Sequence, residues 1–298
     1  MISFSRTVFV SSVFALFLCL SAADGSSYQK SSYQQTIEKW RQDFETSLKG
    51  DDDWLTVAGL FWLHEGENSF GSAPGNAIVL PAPVPAQAGH FDLHAGKITV
   101  HINPGAPITQ GGKAVESAEM HPDVPEERLV CGEVSFYVHA SSGRFAIRLK
   151  DKNSRLRKEF KGLHWYPVNE AYRFNAHYVA YPKPRSEQIG IVHGGHAETS
   201  FDGYVTFSLG GKEYKLDTNN DAAGNLFIVF RDLTSKTETY QAARFIDTNP
   251  PKDGKVDLDF NKAYNPPCAY NPYTTCPLPS VGNRLPVEIP AGEKRYHE

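Results

Sequence analysis

Apolar residues at Tyr33, Ile37, Trp40, Phe44 and Leu48 recur in steps of three and four, and Gly50 closes the run. That spacing predicts one amphipathic helix over 33–48 whose stripe docks on the body of the protein. Beyond Asp51-Asp52-Asp53 the period changes. Short runs rich in Val, Ile, Phe and Tyr (Trp54–Leu63, Ala77–Leu80, Lys97–Ile102, Glu133–His139 and Phe145–Lys150) alternate with Gly, Pro and Asn. This punctuation, with no second long helical stripe, predicts a mainly β body, a sandwich or barrel. Gly203–Leu209 and Lys212–Leu216 flank Gly210-Gly211 as a hairpin, and Asn225–Phe230 has the continuous apolar run of a buried strand. The Pro- and Asn-rich stretch 261–286 predicts an ordered loop without regular structure.

A different pattern opens the chain. Arg6 precedes an apolar run from Val8 to Leu20 and the small residues Ser21-Ala22-Ala23. The run is short for a membrane span, which needs about 20 apolar residues, and the small residues suit signal peptidase. Residues 1–23 are therefore expected to be a cleaved secretory signal, making the protein exported, periplasmic or extracellular, with no stable membrane span after cleavage. A membrane anchor, or a lipoprotein through Cys19, is the alternative. Residues 24–32 form a polar linker. The organisation expected is a helix plus sandwich-like half over 33–150 and a second β half over 151–298, packed as one unit.

Of the 298 residues, 30 are Lys or Arg and 34 Asp or Glu, a net charge of −4, which argues against nucleic acid as a partner. The hydrophobic fraction of 40% excludes a disordered chain. Three cysteines remain after the signal: Cys131, Cys268 and Cys276. The last two flank a short, stiff turn, so in an oxidising compartment a disulfide between them is expected. A zinc site there would need two more ligands, and no second Cys pair exists. His193-Gly-Gly-His196 lacks a third ligand nearby and reads as a surface loop. No Gly-x-Ser-x-Gly elbow or phosphate-cradling Gly-Lys-Ser/Thr loop is present, and no cofactor or metal is implied.

Several long words in the chain are idiosyncratic. Trp54-Leu-Thr-Val-Ala-Gly-Leu-Phe-Trp-Leu63, Phe230-Arg-Asp-Leu-Thr234, Ala263-Tyr-Asn-Pro-Pro-Cys-Ala-Tyr270, Cys276-Pro-Leu-Pro279, Asn283-Arg-Leu285 and Ala291-Gly-Glu-Lys294 resemble the family catalogued as domain of unknown function 1684, from about Tyr33 to Tyr296. That resemblance implies no reaction. Gly71-Ser-Ala-Pro-Gly-Asn-Ala-Ile-Val-Leu80 is similar to the opening of forkhead-associated β-sandwiches. Phosphothreonine binding does not follow, because Ser72 stands where those domains have an Arg and Ala88-Gly89-His90 replaces their Ser before His.

The polar residues of the second half collect at strand ends and on the stiff loop. Asp232 and Asp259 are the candidate catalytic acids. Arg231, Tyr240, Arg244, Asn261, Asn265 and Asn283 are the candidate binding residues. They either line a pocket for a small polar or anionic molecule or form a structural network beneath the loop. Three functions stay open: an exported ligand-binding β-protein, a small-molecule hydrolase or lyase using the two carboxylates, and a structural envelope protein.

Overall fold

A computed structural model of the chain describes residues 31–192 and 194–296. The expected signal sequence, most of the expected linker and His193 lie outside these residues. The predicted helix is present as Ser32–Leu48, with Ile37 and Leu48 buried as its stripe requires. Arg41 is buried on the same helix, donating to the carbonyls of Tyr166 (2.9 Å) and Asn261 (3.1 Å). Its guanidinium lies 4.8 Å from the centre of the Trp165 ring. Among the described residues no helix is long and apolar enough to cross a membrane.

The first β half consists of two sheets. One has the strand order Val57–Trp62, Arg144–Asp151, Val134–Ser141, Leu129–Cys131, Thr109–Gln110, Lys113–Ala114. The other runs Ile78–Val79, Gly66–Gly71, Gly89–His94, Lys97–Ile102, Ser117–Met120. One core lies between them, with Phe70, Phe91 and Phe136 at its centre; the rings of Phe70 and Phe136 are 5.4 Å apart. Alternation decides which face each side chain joins. Phe136 and Val138 on one strand, and Leu149 and Ile147 opposite them, enter this core.

The second half is a six-stranded antiparallel sheet ordered Arg244–Thr248, Leu226–Phe230, Lys212–Asn220, His196–Leu209, Arg173–Gly190, Lys255–Asp259. Its edge strands approach each other, so the sheet curls into a nearly closed barrel around Phe207, Phe230, Leu258 and Phe260. The predicted hairpin turns through Gly210 and Gly211, whose φ of 59° and 75° supply the two positive values a type I′ turn requires. The long strand Arg173–Gly190 was not visible in the pattern: most of its side chains are exposed, and its pairing slips between Ala180 and Arg185, around Pro182 and Pro184.

The stretch 261–286 contains two short 3-10 turns, Phe260–Lys262 and Pro267–Ala269, and is tied down by single bridges between Phe245 and Tyr264, Ile191 and Pro277, and Arg231 and Arg284. Gly292 closes the far end with φ 82°. A Cβ there would fall 2.5 Å from the Ala263 carbonyl oxygen and 2.7 Å from that of Phe260. Both the backbone conformation and the space exclude a side chain. Gly292→Ala is expected to lower the unfolding free energy by about 2 kcal/mol or more; urea denaturation measures it, and an unchanged midpoint would contradict the packing.

Candidate functional site

The residues singled out in the second half do not meet at one cavity. Asp232 accepts the Thr234 N–H (2.7 Å) and hydroxyl (2.6 Å), capping the turn Leu233–Lys236, and pairs with Arg244. Both side chains of that pair are sealed from solvent. Arg244 also donates to the Ala291 and Ile289 carbonyls and lies over the Phe230 ring. Beside it, Arg231 joins the 283–285 segment through its backbone. Asp259 accepts the Tyr33 hydroxyl at 2.9 Å and caps the turn that holds Asn261. Asn261 in turn donates to the Asn169 carbonyl at 2.9 Å. Asn283 clamps the backbone of Asp217 and Val229, and Tyr240 donates to the Cys268 carbonyl at 3.2 Å.

Asn265 directs both its backbone N–H and its side-chain amide to the Glu293 carboxylate, each at 2.8 Å. Glu293 is fully buried and also accepts the Tyr270 hydroxyl at 2.6 Å. Burial pushes its carboxyl up to about 7, against the pull of these donors and of the Arg244 charge.

The expected bridge is corrected: Cys268 and Cys276 are free thiols. The turn brings them together, and the Cys268 N–H donates to the Cys276 sulfur at 3.3 Å. The Cys268 thiol hydrogen bond holds the Cys276 thiol below its usual value, and that bond together with burial raises Cys268. Among the described residues no group of three or more His, Cys, Asp or Glu side chains is arranged to hold a metal ion.

A different constellation lies where the stiff loop crosses the first half. The register Tyr137↔Arg148 and His139↔Ala146 places His139 and Arg148 diagonally on one face, away from the sandwich core. Asn271 ties the loop over that face, donating to the carbonyls of Trp54 (2.9 Å) and Val57 (2.7 Å). Thr275 then stands over His139, its Oγ1 3.0 Å from Nε2. On the other side of the ring, Nδ1 is 2.7 Å from the Asp123 carboxylate. Asp123 has φ 59°, and its second oxygen accepts the Ala140 N–H at 3.3 Å.

Partner chemistry sets the protons. An ionised carboxylate only accepts, so Nδ1 carries the hydrogen and, in the neutral ring, Nε2 accepts from the threonine hydroxyl. Burial works to raise the Asp123 carboxyl, but the hydrogen bond and charge of His139, the Ala140 N–H and the Arg148 charge outweigh it and hold the group below its usual value. Arg148 Nη2 donates to the same Thr275 oxygen at 3.4 Å.

His139, Arg148 and Thr275 face a cleft of about 430 Å³, walled by Phe44, Leu48, Trp54, Phe227, Phe245 and Tyr264. The volume is that of a small-molecule site, apolar with a few convergent polar groups. A second cavity of about 520 Å³, bordered by Trp62, Ser141, Ser142, Arg144 and Tyr273, shares Thr275 with the first. No local motif announces this site, since its members lie far apart in the chain. One signal was present: Arg148 interrupts the apolar run Phe145-Ala-Ile-Arg-Leu149.

No curated protein matches the chain. Among solved structures, the solution NMR structure of an uncharacterized protein of Haloarcula marismortui is 30% identical, covering 46% of this chain and 78% of that one, with a TM-score of 0.39. Residues 158–294 match the family described as protein of unknown function (DUF1684). The match takes in Thr275 and leaves Asp123, His139 and Arg148 outside it. Through residues 158–294 the chain belongs to the DUF1684 family.

Proposed function

We propose that the cleft binds a small molecule with an apolar body and an anionic head, the head on Arg148. One observation carries this reading. Arg148 is 4% exposed, its Nε has no hydrogen-bond partner, and its one side-chain hydrogen bond among the described residues is the long one to Thr275. Burying a guanidinium with no carboxylate among the described residues in hydrogen-bond reach is costly, and a ligand carboxylate would supply a paired charge and the fork geometry. Asp232 and Asp259 are structural in this proposal, since the partners of both are internal. The apolar run and small residues of 1–23 support export as part of the same proposal; N-terminal sequencing of the mature protein is expected to start between Ala22 and Gly25.

Isothermal titration with a panel of aliphatic and aromatic monocarboxylates tests the anchor. Arg148→Met is expected to weaken binding at least tenfold, about 1.4 kcal/mol, while leaving the empty protein as stable as before or more so. Equal affinity in the variant, or a marked loss of stability without ligand, would assign Arg148 to the scaffold instead.

A further inference from the structure

We propose that the same cleft is catalytic: Thr275, His139 and Asp123 form an acyl-transfer centre that hydrolyses an ester joining an apolar carboxylic acid to a polar alcohol. The proposal rests on the cleft being a ligand site, and its carboxylate ligand is the reaction product.

The geometry supplies each role. Thr275 Oγ1 is the nucleophile, with a ring nitrogen 3.0 Å away as base and a carboxylate 2.7 Å beyond as the group that orients the ring. Arg148 donates to the lone-pair side of Oγ1, so the hydroxyl hydrogen is left to point at His139. Its neighbour Cys276 is occupied otherwise, by the N–H and thiol of Cys268. Thr275 stands on the border of two cavities of different character. The aromatic one suits an acyl group; the second, with Ser141, Ser142 and Arg144, suits a hydroxylated leaving group. Asp123 holds the ring from a left-handed backbone position, a conformation that few residues other than Asp, Asn and Gly adopt. It acts as a positioning residue.

In the first half-reaction Oγ1 bonds to the carbonyl carbon while its proton passes to His139 Nε2 and the carbonyl electron pair moves to oxygen, beside Arg148. Collapse breaks the bond to the alcohol oxygen, which takes the proton from His139 and leaves. Water then attacks the threonyl ester, giving its proton to His139. The acyl–Oγ1 bond breaks, Oγ1 recovers that proton, and the acid departs. Ester and water become acid and alcohol.

The test combines p-nitrophenyl esters of two- to eight-carbon acids with a fluorophosphonate probe and peptide mapping. Wild type is expected to turn over esters and to carry the phosphonyl group on Thr275. Thr275→Val and His139→Gln are expected to lose turnover by about 10³-fold, Thr275→Ser to retain it, and Asp123→Asn to lower it with a displaced pH profile. Thr275→Val is expected still to bind the carboxylate. Wild-type turnover in Thr275→Val, or a probe adduct on Cys276, would overturn the assignment. Carboxylate binding with neither turnover nor adduct would overturn catalysis and leave the binding reading standing; absence of binding as well would remove both.

Discussion

Arg244→Ala is expected to remove about 3–5 kcal/mol of stability, the cost of stranding one partner of a buried ion pair. Typical domains hold only about 5–15 kcal/mol in total. The guanidinium is 1% exposed and serves three acceptors: the Asp232 carboxylate and the Ile289 and Ala291 carbonyls. Truncation leaves a charged carboxylate in the interior, with the Thr234 N–H and hydroxyl as its remaining donors among the described residues, and frees the C-terminal segment from the strand Arg244–Thr248. Arg244→Lys is expected to recover only part of the loss, because an ammonium lacks the planar fork that reaches separate oxygens. The double variant Arg244→Met with Asp232→Leu is expected to be more stable than Arg244→Met alone, since it removes the stranded charge. Urea denaturation followed by near-ultraviolet circular dichroism measures all four. A loss under about 1 kcal/mol in Arg244→Ala would show that the pair does not hold the barrel end.

The second large effect is a pH dependence centred on Glu293. Its carboxyl stands at about 7 in the folded protein against 4.5 as the ordinary value. Below the lower value both folded and unfolded chains are protonated there, and the favourable contribution is complete. Between the two, the unfolded chain has released a proton that the folded protein keeps, so stability falls as pH rises. Above about 7 the penalty is constant. The difference corresponds to about 3 kcal/mol at 1.36 kcal/mol per unit. Glu293→Gln cannot titrate, although it gives Asn265 and Tyr270 a poorer acceptor and is expected to be less stable at low pH. Unfolding free energies measured from pH 4.5 to 8 are expected to converge for the two proteins as pH rises; parallel curves would refute the assignment.

Much of the scaffold was readable because its cause is local. Ile37 and Leu48 follow the helical stripe, and the alternation through Phe136 and Val138 marks a half-buried strand. Arg41 shows where such reading ends: a charged residue enters the buried face because two backbone carbonyls from distant segments need donors. The barrel strand Arg173–Gly190 escaped for the opposite reason, since exposed side chains and two prolines leave it no hydrophobic period. The approach of Cys268 to Cys276 follows from a short turn, whereas bonding between them depends on the relative placement of the two sulfurs, which spacing alone does not fix.

The polar residues of the second half illustrate a different limit. Asp232 and Arg244, Asp259 and Asn261, Asn265 and Glu293 do cluster, as their spacing suggests, but as separate fastenings for turns and chain ends. Buried networks and reactive sites draw on the same side chains. The cleft was hidden because Asp123, His139 and Arg148 come from one half of the fold and Thr275 from the other. Only tertiary structure puts them within hydrogen-bond reach.

The bonds from Asn271 to Trp54 and Val57 join residues 217 and 214 positions apart in sequence. Contacts that distant raise the contact order of the fold, which slows folding. His139 and Arg148 lie on the outer face of the first sandwich, and Thr275 follows them by 136 and 127 positions. A nascent or truncated chain is therefore expected to present an open basic face with no hydroxyl over it. The cleft is complete only when the loop that carries Thr275 lies across the first half, so it reports on the docking of segments far apart in the chain.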